Sequence, residues 1–454
     1  LGRLTIGPPK VTIARTGRFG SAQSRSEDHR LLCGAGRFVS DIESPRAAWA
    51  VLVRSPHGHA GIRSVDVTAA RAMDGVLDIV ISQDTNAAGL GVLDCRFPRQ
   101  RRPGEPMIVP RRPLLAEGTA PHLGAPIAMV IARTAHQAQD AAEAVVIDFE
   151  ELSSVTDVRA ATAPGAPSIW PQAPDNISFE YELGNPAAVD GAFARAAHVS
   201  SLCYRISRVS AAAMEPRAAL GEFDAREGSY TLHCQSQKLF MLRRELATML
   251  GVAENRVRVV VPDVGGGFGM KGANFPEYAL LLFAARRLGR PVRWTASRSE
   301  SFLADDQARD NDTCASLALD GDGRFLALRV RTLANLGAWL SNFGPNSSTN
   351  NLGGLTGVYR IGAVHSFVTG VFTNTPPIGT YRGAGRPEAT FAIERLIDLA
   401  AFETGHDKVA LRRMNLIPDG CFPADTGFVF KYDTGAFERG MKIAQQVSDT
   451  AGFE

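Results

Sequence analysis

No two of the six cysteines, Cys33, Cys95, Cys203, Cys234, Cys314 and Cys421, are spaced as C-x-x-C. That absence excludes a tetrahedral zinc site legible from spacing, and an iron–sulfur cluster held by this chain. A disulfide framework is not expected in 454 residues, so the thiols are read as free, mostly buried and in a reducing compartment. No apolar run reaches the length of a membrane span, and no signal peptide is visible. Neither charge sign dominates. With 49 basic and 47 acidic residues the net charge is +2, which gives no field to attract nucleic acid or a membrane surface. These absences lead to the expectation of a cytoplasmic protein without a nucleic-acid or membrane partner.

What is present is core and glycine. A hydrophobic content of 45% can bury a large interior, and the length implies two or three domains. Residues 1–30 are polar and glycine-rich and read as an extended arm. Residues 31–155 read as an α+β domain, with strands in "AAWAVLVRS" and "PIAMVIAR" and a helix running into a strand in "TAHQAQDAAEAVVIDFE". The proline-rich "ATAPGAPSIWPQAPDN" places a linker over residues 156–176, and residues 177–454 form a larger second unit. There "KLFMLRRELATML" is a helix closed by Gly251, and "RVRVVV" a strand. "PEYALLLFAARRL" is a helix apolar on nearly every face, opened by Pro276 and closed by Gly289. The chain starts at Leu1 rather than Met and stops in "SDTAGFE", so it reads as a fragment.

The glycines concentrate in "VVPDVGGGFGMKG" (260–272), where Gly267-Phe268-Gly269-Met270-Lys271-Gly272 fits G-x-G-x-x-G literally. A dinucleotide site would open its helix directly on those glycines, yet Pro276 comes four residues later, and no acidic residue ends the next strand. A P-loop is excluded because Gly272, not Ser or Thr, follows Lys271. So many glycines suit a backbone that must approach a bulky anion or oxo group closely. A second loop, "TNTPPIGTYRGAGRPEATFAIERLIDLAA" (373–401), has the same form: Pro-Pro, Arg382, glycines, then a helix. Its structural alternative is a loop whose arginines cap a helix or pair with Glu388 and Glu394.

Taken together, "VVPDVGGGFGMK", "TYRGAGRPEA" and "AAMEPRA" resemble the molybdenum-binding large subunits of the xanthine dehydrogenase, aldehyde oxidase and carbon monoxide dehydrogenase family. "SEDHRLLCGAGRFVSDI", "LVRSPHGHAGI" and "HLGAPIAMVIA" resemble that family's small α/β hammerhead domain, so the likeness covers nearly the whole chain in order. It implies a hammerhead domain over 31–155 followed by the first part of a mixed α/β molybdopterin-binding domain over 177–454. His57 and His59 fall in a structural stretch and are not expected to bind metal. The implied cofactor is Mo-molybdopterin, in its cytosine dinucleotide form, with the metal held by pterin dithiolene and no protein ligand. Gly266, Gly267, Phe268 and Gly269 would face the metal centre. Gln237, 13 residues before Leu250, would donate to an oxo group, and Arg382 would lie near the metal. The implied activity is oxidation of an electron-poor carbon with water as oxygen source. [2Fe-2S] and FAD would sit on partner subunits, in a dimer of heterotrimers.

Departures from the family pattern bear on chemistry. The general-base glutamate of a Gly-x-Gly-Glu setting is absent and is expected beyond Glu454. The copper-binding cysteine of carbon monoxide dehydrogenases is replaced by Gly383. At the positions facing purine in xanthine-oxidising members stand Gly272, Asn350 and Ala384, which disfavours purines and leaves an aldehyde or another N-heterocycle. Ala125 replaces an acidic or amide residue of the hammerhead domain. Two other readings stand beside this one: a nicotinamide-nucleotide dehydrogenase using the first glycine loop, and a catalytically inactive structural fragment.

Overall fold

The computed structural model describes residues 24–350, 352–449 and 452. Residues 1–23 of the expected arm lie outside them, and its end carries a short helix, Asp28–Leu32. Two seven-stranded sheets organise the chain. The first runs Val257–Val260, Ser229–Cys234, Ala218–Asp224, Val292–Thr295, Ala48–Arg54, Pro126–Ala132, Val76–Ile81. The second runs His198–Val209, Ala308–Leu319, Phe325–Gly337, Ala363–Phe372, Ile177–Gly184, Gln100–Arg102, Glu105–Pro106. Strands and helices do not alternate strictly, as an α+β class requires. The strand Pro126–Ala132 is apolar at every position and fully buried, so it sits inside its sheet rather than at an edge.

The position expected for a domain boundary is bridged by hydrogen-bonded strands. Ala48 and Trp49 pair in parallel with Val292 and Arg293, and Gln100 pairs with Glu180. The proline-rich linker is packed as well. Asp157 caps the helix Val158–Ala161 through the Arg159 and Ala160 N–H groups, and Ile169 and Ala173 are buried in a core cluster. Trp170 stacks on Trp339 with centroids 6.1 Å apart and donates from Nε1 to the Ala338 carbonyl at 2.6 Å. Proline content reports local backbone preference and says nothing about what the surrounding fold covers. Ala125 is buried beside Trp339, which fits a small side chain there.

The cysteine expectation needs correction. Cys203 and Cys314 form a disulfide, and Cys33 and Cys421 are exposed rather than buried. The bonded pair sits directly opposite across the antiparallel strands His198–Val209 and Ala308–Leu319. At a sequence separation of 111, their proximity comes from strand register, which spacing does not reveal.

The helix Pro276–Leu288 lies in the interior and starts and stops where proline and glycine place it, with Gly289 left-handed at φ 61°. It presses on the first sheet at Gly221, where a Cβ would stand 2.9 Å from the Leu281 carbonyl. Glu277 in its first turn joins a buried ionic cluster. Arg217, with no exposed surface, donates to Glu277 at 3.0 Å and to Asp305 at 2.5 Å. The guanidinium also sits over the Phe275 ring, 3.7 Å from its centroid. Arg54 reaches Glu277 at 2.7 Å and Glu300 at 2.9 Å. Burial alone would raise the Glu277 carboxyl, but Arg217 and Arg54 overcome it and bring the pKa down to about 2. Nearby Asp306 is different: both oxygens are buried without a hydrogen-bond partner. Burial pushes it up to about 6, with Arg112 and Arg217 only partly opposing.

Two outcomes follow from this cluster. Arg217→Met leaves buried carboxylates uncompensated and should lower stability by about 3–5 kcal/mol in denaturant titration. Asp306 binds its proton more tightly folded than unfolded, so its contribution to stability falls as pH rises from about 4 through about 6. Asp306→Asn should therefore gain on the parent chain with rising pH, by roughly 3 kcal/mol at pH 8. A gain that does not vary with pH would contradict this assignment.

Candidate functional site

The first glycine loop is fastened at its entry and exit. At the entry, Asp263 accepts two bonds from the Arg30 guanidinium, at 2.6 and 2.7 Å, and one from the Arg37 N–H at 2.7 Å. Those bonds, Arg30's first, hold the Asp263 carboxyl well below the usual carboxylate range. Further in, Glu215 Oε2 accepts from the Gly265 N–H at 2.7 Å, and Oε1 accepts from Gln235 Nε2 at 2.7 Å. At the exit, fully buried Lys271 donates from Nζ to the Glu215 carbonyl at 2.8 Å and to Oε2 at 3.2 Å. Burial lowers the Lys271 pKa, and Glu215 opposes that shift. One carboxylate thus ties the start of the loop to its end.

Between those ties the backbone takes conformations that side chains resist. Gly266 and Gly269 stand at φ 98° and 97°, and Phe268 is left-handed at φ 52° although it is not glycine. A Cβ at Gly267 would lie 2.8 Å from Gln237 Oε1, and one at Gly269 would lie 2.9 Å from the Thr380 carbonyl. These glycines let the loop touch Gln237 on one side and the second loop on the other. Gln237 Oε1 accepts from the Gly269 N–H at 2.8 Å. Its Nε2 and the N–H groups of Gly266, Gly267 and Phe268 have no protein acceptor among the described residues. Gln237, Gly266, Gly267 and Phe268 thus form a partly exposed floor carrying donors that the described residues do not use.

The second loop repeats the pattern. Gly383 (φ 92°), Ala384 (φ 47°) and Gly385 (φ 100°) precede the helix Arg386–Thr404, with Pro387 in its first turn. Arg309 fixes the loop by donating to the Arg382 carbonyl at 2.9 Å and to Glu388 at 2.8 Å. Glu394 is engaged by Tyr359 and Arg412. The reading in which the loop's own arginines pair with Glu388 and Glu394 is therefore not what forms. The Arg382 guanidinium is exposed, with no partner among the described residues. A cysteine at position 383 would meet Pro387, whose Cδ lies 2.5 Å from a Cβ built there.

Gln237, Gly266, Gly267, Phe268 and Gly269 come together, and the Gly269–Thr380 contact brings the loop of Arg382, Gly383 and Ala384 beside them. The other two proposed substrate positions lie further along. Gly272 is buried against the Lys238 side chain, whose Cε is 3.6 Å from a Cβ built on the glycine. Asn350 is tied down by Arg99 Nη2 at 2.8 Å. Sequence reading passed over Lys238, Thr380 and Arg309 as site residues and left Glu215 unassigned. Only Lys238 carried a local signal, its place next to Gln237.

The dinucleotide reading fails on geometry. The helix N-terminus that would receive a pyrophosphate already contains buried Glu277 bonded to Arg54 and Arg217. The strand Val292–Thr295 pairs with Ala218–Asp224 and Ala48–Arg54, not with Val257–Val260, so the strands on either side of the glycine loop and its helix form no βαβ unit. Among the described residues no three His, Cys, Asp or Glu side chains converge as a metal-ligand group. His59 Nδ1 meets the Ser153 carbonyl at 2.8 Å, and His57 packs on the Phe149 ring.

Residues 169–416 match the molybdopterin cofactor-binding domain, and residues 33–153 match the aldehyde oxidase and xanthine dehydrogenase a/b hammerhead domain. The chain is 34% identical to the 6-hydroxypseudooxynicotine dehydrogenase complex subunit gamma of Paenarthrobacter nicotinovorans, over 96% of this chain and 54% of the relative. It is 32% identical to the carbon monoxide dehydrogenase large chain of Hydrogenophaga pseudoflava, over 92% and 52% respectively. The crystal structure of quinoline 2-oxidoreductase from Pseudomonas putida 86 superposes with a TM-score of 0.88 at 31% identity, covering 96% of this chain and 55% of that one. The chain thus spans about half the length of these relatives.

Glu215→Ala should leave Lys271 buried without its counter-ion and release the Gly265 N–H. Amide hydrogen exchange across residues 264–272 is expected to speed up at least about tenfold, while exchange in the helix Pro276–Leu288 stays slow.

Proposed function

The chain belongs to the molybdopterin-binding large subunits of the xanthine dehydrogenase and aldehyde oxidase family, and from that premise we propose that its open floor holds Mo-molybdopterin. The observation that carries this reading is the set of donors on Gln237 and the neighbouring loop residues that the described residues leave without an acceptor. Gln237 Nε2 and three backbone N–H groups stand free where Gly267 and Gly269 leave no space for a Cβ. Such a face suits an electron-rich oxo group approached closely by backbone. When bound, the cofactor supplies two-electron oxidation chemistry at its metal. Gln237 and the Phe268 N–H orient the group, Arg382 offers positive charge at the rim, and Glu215 with Lys271 keep the loop from relaxing.

The reaction proposed is oxidation of an aldehyde or an N-heterocyclic carbon, with water as oxygen source. Relatives named for a nicotine derivative and for quinoline favour the heterocycle. Copper-dependent carbon monoxide oxidation is disfavoured, because position 383 has no space for a thiol on this backbone. The general base is assigned to a glutamate outside the matched half. Glu215 is committed to Gly265, Gln235 and Lys271, and Glu388 to Arg309. The proposed assembly adds an iron–sulfur subunit and an FAD subunit in a dimer of heterotrimers. The cofactor is taken in its cytosine dinucleotide form and the location as cytoplasmic. No helix among the described residues is long and apolar enough to cross a membrane. Hammerhead and cofactor-binding units are assigned to 31–155 and 177–454.

In the assembled enzyme, elemental analysis should find molybdenum in proportion to this chain. Gln237→Ala should lower turnover by about 10²–10³-fold without unfolding the protein, and Arg382→Ala should lower it as well. A stoichiometric nicotinamide nucleotide with no molybdenum would sink the proposal.

A further inference from the structure

We propose that Lys238 is a specificity-determining residue that selects a substrate bearing a carboxylate, bound at the far end of the first glycine loop. This rests on the site reading above and adds the charge of the substrate to it.

Lys238 directly follows Gln237, and its aliphatic stem lies along Gly272, with Cε, Cδ and Cγ between 3.6 and 3.8 Å from a Cβ built on that glycine. The stem therefore fills the space into which a side chain at position 272 would grow. Its Nζ sits 3.1 Å from the centroid of the Phe343 ring. Half-buried there, it forms no ion pair among the described residues; burial lowers its pKa, and only Glu245 acts to raise it. Glu245 is already committed: Oε1 to Arg96 at 3.2 Å and Oε2 to Asn342 at 3.0 Å.

The charge imbalance continues past the ring. Phe343 packs on Phe97, with centroids 5.3 Å apart. Two residues on, Arg99 also lacks an acidic partner. It donates to Thr349 at 2.7 Å and Asn350 at 2.8 Å and lies over the Tyr181 ring. The Arg99 guanidinium is thus satisfied by neutral acceptors, whereas the Lys238 ammonium has only an aromatic face. Lys238 is moreover the N-cap of the helix Leu239–Leu250, whose first turn contains no acidic residue. A cation there opposes the helix dipole and makes no capping bond. A half-desolvated ammonium in that position gains a partner when a carboxylate enters beside it. Its single charge matches a monoanion.

The test uses the assembled enzyme with its companion polypeptides and calorimetric titration with benzoate and benzamide, which share a shape and differ in charge. The wild type should bind benzoate at least about tenfold more tightly. Lys238→Met should abolish that preference while leaving benzamide affinity within about twofold, and Lys238→Arg should retain it. Equal binding of the two probes by the wild type, or a preference that survives Lys238→Met, would overturn the proposal. Molybdenum content of the same preparations decides the cofactor reading separately. Its absence would remove that reading, while the binding ratios would still decide the role of Lys238.

Discussion

The Glu215 carboxylate is the interaction on which the site depends. It accepts from Gly265 at one end of the glycine loop and from Lys271 at the other, with Gln235 on its remaining oxygen. A loop this rich in glycine has much backbone entropy to lose, and the few backbone bonds within it, such as Gly272 N–H to the Gly269 carbonyl, offset little of it. The compensation comes from a buried ion pair supported by hydrogen bonds, which is costly to break once its partners are desolvated. Two residues later the same segment supplies Arg217 to Glu277 and Asp305 in the core. The stretch Met214–Ala218 therefore couples the exposed loop above to the buried helix Pro276–Leu288 below.

The two glycine loops share a device. Each places a non-glycine residue, Phe268 or Ala384, in the left-handed region, with glycines at strongly positive φ close by. Strain of this kind persists only when the surroundings over-determine it. Here the Gly269–Thr380 contact and the Arg309 bonds to Arg382 and Glu388 do so. The result is a braced floor on which the Gly266, Gly267 and Phe268 N–H groups have no acceptor among the described residues. Such bracing suits the proposed oxidation chemistry, because donors already in place need no reorganisation when charge shifts on a group they meet.

Much of this was legible in the residues. Pro276 and Gly289 bound the buried helix where they were expected to, Gly251 closes its helix in the left-handed conformation, and Gln237 lies against the glycine loop. Those features depend on local backbone chemistry or on a family pattern carried in order along the chain. What went unread depends on distant pairing. The Cys203–Cys314 bond needs the register of two strands, and the packing of residues 156–176 needs Trp339 to arrive beneath Trp170. The bond from Arg99 to Asn350 is of the same kind, since no periodicity links the two residues.

Local chemistry along the chain specifies the elements, their caps and the two glycine loops, because φ/ψ preference and hydrophobic period are properties of neighbouring residues. The sequence by itself also determined the family, because several motifs keep their order over nearly the whole chain. Only the tertiary structure decided which carboxylates are spent and which donors remain free. It turned Glu277 toward arginines rather than a phosphate, gave Glu215 to Lys271, and left Lys238 against an aromatic ring with no ion pair among the described residues. The physical reason is that electrostatic pairing in a protein is settled by burial and distance, and both are set by residues far apart in the chain.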